Sequence, residues 1–290
     1  MSLSPQSIAV RATGIGASEA PMVLGESPHG GPVALYMRKL GLETVMSTDA
    51  QMMGNILEDG MAKFYEQTRG VKVRAYKRTL RHPKHHCVLA TPDRRVVGRR
   101  RLVQIKIVGQ WMAHHWRDDE DGIPDYTRIQ VQQEMAVTGI EWCDVAALIC
   151  GTEPRIYQVA FDPELADLII AADIAFWRDH VEPRIPPEPD GTEKYSDLLA
   201  ALYPRDRTPM IEATPELDAI AKKLARARSE SKRWATEKEL REQEMKVLLG
   251  ETEGARGVDW TVTWKANAKG ARSFLFKTDS DRALVRGKAA

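Results

Sequence analysis

Two apolar segments of strand length, residues 86–92 and 102–108, are joined by a turn that is crowded with arginine. The second segment, Leu-Val-Gln-Ile-Lys-Ile-Val, is rich in β-branched residues, which favour strands. Side chains alternate along a strand, so Gln104 and Lys106 share one face. Asp93 follows the first segment directly. The pattern therefore predicts a sheet in which an aspartate, a glutamine and a lysine lie close together.

Helical periodicity flanks these strands. Between residues 51 and 70 apolar side chains recur at helical spacing, and Gly70 is the expected end of the helix. Other segments follow the same criteria: helices are predicted over residues 31–40, 126–138 and 163–182, and strands over residues 71–76, 143–149 and 155–161. Strands and helices that alternate in this way predict an α/β fold with helices on both sides of the sheet.

The sequence changes character after residue 182. The segment Pro-Arg-Ile-Pro-Pro-Glu-Pro is typical of a linker, and beyond it Thr214 is the predicted N-cap of a long, highly charged helix that ends at Gly250. Its apolar positions are too sparse for a core of its own, so we expect it to pack on the main domain or on another subunit. A β-hairpin is expected after it. The predicted organisation is a main domain, a linker and a helix-plus-hairpin extension: residues 1–185, 186–213 and 214–290.

The net charge of +1 conceals an asymmetry. Between Arg69 and Arg101 there are twelve lysines and arginines against one acid, Asp93. Such segregation predicts either a polyanion-binding surface or an ordinary solvated face. The arginines near the turn are candidates for contact with DNA, or they belong to a soluble hairpin tip: Arg94, Arg95, Arg99, Arg100 and Arg101.

Targeting and redox features are sparse. The sequence has no apolar run long enough to span a bilayer, and its first residues lack the pattern of a signal peptide. Its three cysteines, an odd number without a C-x-x-C pair, suggest neither a disulfide framework nor a metal knuckle. We therefore expect a cytoplasmic protein encoded by a bacterium or a phage.

The spacing of Asp93, Gln104 and Lys106 has a chemical interpretation. Phosphodiester hydrolysis needs an acidified water and a stabilised leaving oxygen, which Mg²⁺ held by carboxylates supplies. An aspartate at a strand end followed by acid-x-Lys on the next strand builds such a centre, and Glu58 and the carbonyl of Ile105 are further candidate ligands. The spacing alone is common, however, and an aspartate in a turn beside a solvent-facing lysine would give it too.

Five segments in order carry a more specific signal: R-A-T-G-I-G-A-S-E (11–19), G-N-I-L-E (54–58), T-P-D (91–93), Q-I-K (104–106) and Q-V-Q-Q-E-M-A-V-T-G (130–139). Together they resemble the YqaJ-type viral recombinase family, which is lambda-exonuclease-like and belongs to the PD-(D/E)xK nucleases. The resemblance covers roughly residues 8–185. It implies a restriction-endonuclease-like central mixed sheet flanked by helices.

The resemblance also implies an activity and partners. It indicates a Mg²⁺-dependent exonuclease, with Mn²⁺ as a possible substitute, that digests one strand of duplex DNA from a 5′ end. A toroidal homotrimer and a single-strand annealing protein as partner belong to the same expectation. The implied metal ligands and catalytic lysine are Glu58, Asp93, position 104, the Ile105 carbonyl and Lys106. The implied 5′-phosphate pocket comprises Arg11, Ser18, Thr91 and Gln130, with Gln132 as a weaker candidate at the rim.

The chain departs from the family pattern at two positions. Arg94 follows Asp93 where the family usually has glycine, and Gln104 replaces a carboxylate. An amide offers a metal only a neutral oxygen, so we expect weaker Mg²⁺ binding and impaired turnover. Gln104 is either an inactivating substitution made to trap a DNA complex, which its well-matched surroundings favour, or a natural loss of function. A non-catalytic DNA-end-binding protein and an endonuclease of the same superfamily are the alternatives.

Overall fold

The computed structural model describes residues 9–43, 48–76, 78–119, 121–206, 208–267 and 270–278. The chain divides into two compact units, the first ending at Pro204 and the second beginning at Arg205. The first unit contains these elements in chain order: β1 (Ile15–Gly16), α1 (Ala20–Val23), α2 (Pro32–Lys39), α3 (Asp49–Arg69), β2 (Val73–Ala75), β3 (Leu80–Arg81), β4 (Val88–Ala90), β5 (Arg94–Val96), β6 (Leu102–Val108), a 3₁₀ helix (Gln110–His115), α4 (Asp125–Thr138), β7 (Trp142–Ile149), β8 (Glu153–Ala160), α5 (Pro163–Phe176), a π-helical turn (Trp177–Val181) and α6 (Glu193–Leu202).

The main sheet has the strand order β2-β5-β6-β7-β8. Strands β6 and β7 are parallel and are connected through α4, whereas the other neighbouring pairs are antiparallel. Helix α3 covers one face, where Met61 packs with Ile105. Helix α4 covers the other face, where Val131 packs with Leu102. The predicted α/β fold with a central mixed sheet flanked by helices is confirmed.

Local sequence signals account for the ends of the two covering helices. Thr48 and Gln51 form a reciprocal capping box at the start of α3. Gly70 and Gly139 follow α3 and α4 with φ values of 60° and 65°, in the left-handed region that glycine adopts without strain. The predicted helices over residues 51–70 and 126–138 are therefore confirmed.

A second, smaller sheet with the order β1-β4-β3 supports the N-terminal motif. Strand β1 runs parallel to β4, with Ile15 opposite Val88. From α4, the buried Gln133 side chain donates hydrogen bonds to the carbonyls of Ile15 and Leu89, at 3.1 and 3.0 Å. These contacts bring the segment 11–19 beside the strand that leads to Asp93, which their separation in the sequence does not reveal.

The connection between the two central strands differs from the prediction. Arg94–Val96 forms strand β5, antiparallel to β6 with Arg94 opposite Val103, so the turn is shorter than expected. The predicted linker over residues 186–213 also contains structure, because it includes helix α6. Leu198 of α6 is fully buried in a cluster with residues of α2. The division of the chain therefore lies after Pro204.

The second unit contains the predicted long helix and hairpin. Its elements are α7 (Pro215–Leu249), β9 (Gly254–Arg256), β10 (Trp260–Ala266) and β11 (Arg272–Thr278). The Thr214 side chain accepts a hydrogen bond from the Leu217 amide and caps α7 as predicted. Strands β10 and β11 pair as an antiparallel hairpin, to which β9 adds a third strand. Ala268 and Lys269, which lie between β10 and β11 in the sequence, are outside the described residues, as is Lys77 of the basic segment between Arg69 and Arg101.

Two further findings concern the described part of the chain. Cys87, Cys143 and Cys150 are free thiols. Within the ranges given above, none of the helices combines the length and the apolar character that a membrane crossing requires.

Candidate active site

Asp93 is fixed beside the middle of the central strand. It lies between β4 and β5, and its Oδ2 accepts a hydrogen bond of 2.8 Å from the Ile105 amide. Burial raises the pKa of Asp93 to about 6, although the Ile105 amide and the Lys106 ammonium oppose the rise. A cation placed beside this carboxyl group would favour its charged form. The structure thus brings Asp93, Ile105 and Lys106 together, as the spacing predicts.

Lys106 heads a chain of three hydrogen-bonded side chains. Its Nζ donates to Gln130 Oε1 at 2.6 Å, and Gln130 Nε2 donates to Glu134 Oε1 at 2.9 Å. Glu134 is only 1% exposed, and burial together with the nearby Asp93 raises its pKa to about 8. Burial lowers the pKa of Lys106, while the Asp93 and Glu134 carboxylates counteract this. Sequence reasoning assigned no role to Glu134, although its spacing of four residues from Gln130 on one helix places the two side chains on the same face.

Three of the predicted residues line one cavity. Ser18, Lys106 and Gln130 border a space of about 240 Å³, together with His29, which sequence reasoning missed. Arg11 joins this group through its guanidinium, which donates a hydrogen bond of 3.1 Å to Ser18 Oγ. The Lys106 ammonium contributes to a lowered pKa of His29, after the larger effect of burial. His29 carries no motif signal, because it lies in a loop outside the five segments.

The fourth predicted pocket residue, Thr91, follows β4. Its hydroxyl shares a hydrogen bond of 3.0 Å with the Thr79 hydroxyl. Arg11 and Ser18 lie beside a partly buried ion pair between Lys39 and Glu19, whose Nζ and Oε2 atoms are 2.7 Å apart. Lys39 also donates to the Arg11 carbonyl at 2.9 Å. The contacts of Lys39 therefore stabilise the segment that carries Arg11 and Ser18.

Glu58 lies on α3 and is engaged by Arg94. Arg94 Nη1 is 2.6 Å from Glu58 Oε1, and Arg94 Nη2 is 2.7 Å from Asp59 Oδ1. The same guanidinium donates to the carbonyl of Asp93 at 2.9 Å. Arg94 is 5% exposed, so the prediction of an exposed DNA-contacting side chain is wrong for this residue. Side chains alternate along β5, which turns Arg94 towards α3 and leaves Arg95 exposed.

The remaining arginines of the turn lie at the other end of β6. Arg101 and Lys106 are separated by five residues of extended chain, which corresponds to roughly 16 Å. Arg101 forms an ion pair with Asp144 and stacks on Trp142, 5.2 Å from the ring centre. Together with Arg99 and Arg100, these residues border a cavity of about 460 Å³. The arginines at positions 99–101 therefore lie away from Lys106, because β5 carries the chain away from Asp93 before it turns.

Gln132 is not on the rim of the site. It is buried, its Nε2 donates to the Ala160 carbonyl at 2.8 Å, and its Oε1 accepts from the Asp162 amide at 2.9 Å. Two residues along a helix rotate a side chain by about 200°, so Gln132 points away from the face that carries Gln130. Its place is the corner between β8 and α5.

The oxygen atoms near Asp93 are of the kind that a divalent cation binds, but together they carry little net negative charge. Gln104 Oε1 is buried and has no hydrogen-bond partner among the described residues, so a neutral oxygen is available there. Asp93 and Glu58 contribute two negative charges, which Lys106 and Arg94 balance. No group of three or more histidine, cysteine, aspartate or glutamate side chains is arranged to hold a metal ion within the described ranges.

Residues 8–141 match the family described as YqaJ-like viral recombinase domain. The uncharacterized protein YqaJ of Bacillus subtilis (strain 168) is 34% identical over 197 residues, which are 67% of this chain and 61% of that protein. The chain thus spans about 61% of the length of this curated relative.

Solved structures show the same fold. LHK-Exo, an alkaline exonuclease from Laribacter hongkongensis, superimposes with a TM-score of 0.52 and 22% identity over 69% of this chain and 100% of its own. Its complex with dAMP gives a TM-score of 0.53 and 23% identity over 69% of this chain and 99% of its own. Residues 8–141 are thus similar to the YqaJ-like viral recombinase domain, and the chain shares the fold of LHK-Exo.

Proposed function

We propose that this chain is a deoxyribonuclease that acts at the ends of duplex DNA. It hydrolyses phosphodiester bonds of one strand, starting from a 5′ end, with Mg²⁺ as cofactor and Mn²⁺ as a possible substitute. The observation that carries the proposal is the hydrogen bond between Lys106 and Gln130 beside Asp93, in a cavity that Ser18 also lines. The exonuclease fold of the first unit supports it.

The residues of the cavity have separate tasks in this proposal. Arg11 and Ser18 bind the terminal 5′-phosphate, because a guanidinium and a hydroxyl are suitable donors for phosphate oxygens. Gln130 has a second amide hydrogen for the same phosphate while its oxygen holds Lys106. Lys106 stabilises the negative charge that develops on the phosphate in the transition state. Thr91 is the fourth donor that the resemblance implies.

A divalent cation would be held by Asp93, Glu58, Gln104 Oε1 and the Ile105 carbonyl, and when bound it supplies an acidified water and charge neutralisation. Gln104 leaves this set one negative charge short. We therefore propose that Mg²⁺ binds weakly and that turnover is impaired relative to a variant with glutamate at this position.

The ion pair between Arg94 and Glu58 favours a second candidate function. Because Arg94 already neutralises this carboxylate, the centre suits the binding of DNA ends without hydrolysis. In that case the chain is a DNA-end-binding protein on a nuclease fold. Arg95, Arg99, Arg100 and Arg101 are basic side chains for more distant contacts with the duplex.

The resemblance supports further proposals on assembly. We propose that the chain forms a homotrimer, that it works with a single-strand annealing protein and that it acts in the cytoplasm of a bacterial host. Light scattering of the full chain tests the first of these, since a trimer has about three times the mass of one chain, which is 32.6 kDa.

Digestion of three substrates tests the activity: a linear duplex with 5′-phosphates, the same duplex without them, and a closed circle. An exonuclease releases nucleotides from the phosphorylated duplex in Mg²⁺ and spares the circle. An endonuclease cuts the circle, and an end-binding protein retains linear DNA without product. Failure to bind or digest any linear duplex contradicts both proposed functions.

A further inference from the structure

Arg94 has no task in the proposed hydrolysis, yet it is the most highly connected cation of the site. One guanidinium reaches Glu58 at 2.6 Å, Asp59 at 2.7 Å and the Asp93 carbonyl at 2.9 Å. It thereby joins helix α3 to the start of β5. Its burial excludes a role as a surface contact for DNA.

Around Arg94 two carboxylates and two cations of the centre balance each other, while the largely exposed carboxylate of Asp59, 2.7 Å from Arg94, adds one negative charge at the margin. Glu58 and Asp93 are the acidic groups of the centre, and Arg94 and Lys106 are the basic ones. Without Arg94 two carboxylates would face the approaching phosphates of DNA, and the repulsion between these charges is strong where water is excluded. Arginine keeps its charge at all pH values that proteins tolerate, so the neutralisation is permanent.

The two departures from the family motif act in the same direction. Relative to the glycine and the carboxylate that the resemblance implies, arginine at position 94 adds one positive charge, and glutamine at position 104 removes one negative charge. Together they change the centre by two positive charges, which equals the charge of one Mg²⁺. The site without metal therefore has the charge that the motif would have with one divalent cation bound.

We propose that Arg94 is a resident cation of this site, which allows the chain to bind the phosphates of a DNA end without a divalent ion. The inference rests on the proposed binding of DNA ends and specifies how this chain achieves it. Arg94 acts through Glu58 and not by touching DNA, so it is a positioning residue. It also competes with a metal ion for Glu58 Oε1.

Fluorescence anisotropy of a short 5′-phosphorylated duplex, measured in EDTA and in Mg²⁺, tests the proposal. The full chain should bind with a Kd that changes less than about twofold between the two buffers, whereas Arg94→Gln should bind about tenfold more weakly in EDTA and recover in Mg²⁺. Arg74→Gln is the matched control, because it removes the same charge from an exposed arginine on β2, the strand that pairs with β5. Its Kd should show no such dependence on Mg²⁺.

A second variant separates this charge effect from a loss of folding. Glu58→Gln combined with Arg94→Gln removes both partners of the ion pair, so the double variant should bind in EDTA within about threefold of the unmodified chain. Calorimetry of Mg²⁺ with the free proteins should show tighter binding by Arg94→Gln than by the unmodified chain. Circular dichroism confirms that each variant is folded.

The possible failures are distinguishable. If the unmodified chain binds DNA ends only in Mg²⁺, or if Arg94→Gln behaves like Arg74→Gln, the resident-cation proposal is overturned and the proposed function stands. If the unmodified chain binds no DNA end in either buffer, both the proposed function and the resident-cation proposal are contradicted.

Discussion

Lys106 on β6 and Gln130 on α4 are joined by a hydrogen bond of 2.6 Å between Nζ and Oε1. This bond links the proposed catalytic lysine to the proposed phosphate pocket. Gln130 can accept from Lys106 only because its amide nitrogen donates in the other direction, to Glu134. Lys106 and Glu134 therefore determine which end of the Gln130 amide is the oxygen and which is the nitrogen.

Lys106→Ala should abolish most of the digestion of a linear duplex. Stabilisation of charge and proton transfer by one positioned group contributes about 10²- to 10⁴-fold to a rate, so a loss in this range is expected. Lys72→Ala is the control, because Lys72 is an exposed lysine paired with Glu66. Equal rates for the two variants would exclude Lys106 from the reaction.

Replacing Glu134 tests the orientation of Gln130. Glu134→Gln keeps an oxygen that accepts from Gln130 Nε2, whereas Glu134→Leu removes it and allows the amide to turn its nitrogen towards Lys106. We expect the leucine variant to lose about tenfold or more in kcat, which corresponds to one hydrogen bond to a charged group, and the glutamine variant to retain most of the rate. Indistinguishable kcat values would show that Glu134 does not position Gln130.

The strands, helices and motif spacing around Asp93 could be predicted because their signals are local. Alternation identifies the face of β6 that carries Gln104 and Lys106, and Gly70 and Gly139 mark helix ends. The pairing of β1 with β4 could not be predicted, since two strands as short as Ile15–Gly16 and Val88–Ala90 carry no periodicity. It is tertiary contacts, such as those of Gln133, that place them.

The orientation of the arginines after Asp93 could not be predicted for the same reason, because it also depends on tertiary contacts. Composition shows that the segment after Asp93 is basic, but only the pairing of β5 with β6 decides which side chains turn inward. Arg94 turns towards Glu58, and Arg95 stays exposed. Glu134 was missed for a related reason, because a glutamate on an amphipathic helix is ordinarily a surface residue.

The phosphate pocket predicts a preference between DNA ends. Arg11→Ala removes a guanidinium that donates to Ser18, and it should lower the preference for 5′-phosphorylated over unphosphorylated ends by about tenfold, in keeping with a hydrogen bond to a charged group. Arg74→Ala, an exposed arginine on β2, serves as the control. An unchanged ratio of kcat/KM for the two ends in Arg11→Ala would place the phosphate elsewhere.

Asp173 predicts a dependence of stability on pH. Burial and the Glu19 carboxylate raise its pKa well above the usual value. The folded state therefore keeps a proton that the unfolded chain releases near pH 4, so this contribution is present at lower pH and is lost as the pH rises. For one such group the free energy of unfolding falls by up to about 1.4 kcal/mol per pH unit.

Chemical denaturation of Asp173→Asn between pH 4 and 7 checks this. The variant should show a shallower fall in stability with rising pH than the unmodified chain, and Asp93 and Glu134, whose pKa values are also raised, should contribute to the slope that remains. Asp179→Asn is the control, because Arg178 lowers the pKa of that exposed carboxyl. If Asp173→Asn keeps the full slope, Asp173 is ionised in the folded protein.

The boundary between the two units predicts the effect of truncation. A chain that ends at Pro204 keeps α6, whereas one that ends at residue 190 loses Leu198 from the core. Loss of this side chain alone should lower the free energy of unfolding by about 1.5–3 kcal/mol. Thermal melts of the two chains make the comparison, and equal stability would show that α6 does not belong to the first unit.

The rate at which Gln104→Glu digests a 5′-phosphorylated linear duplex in Mg²⁺ tests the central claim most directly. Glutamate restores a negative charge beside Asp93, so the variant should release nucleotides at least about tenfold faster than the unmodified chain, and EDTA should stop it. Circular DNA should remain intact. A variant that is folded and binds DNA ends, yet digests no faster than the unmodified chain, would contradict a nuclease centre at Asp93, Gln104 and Lys106.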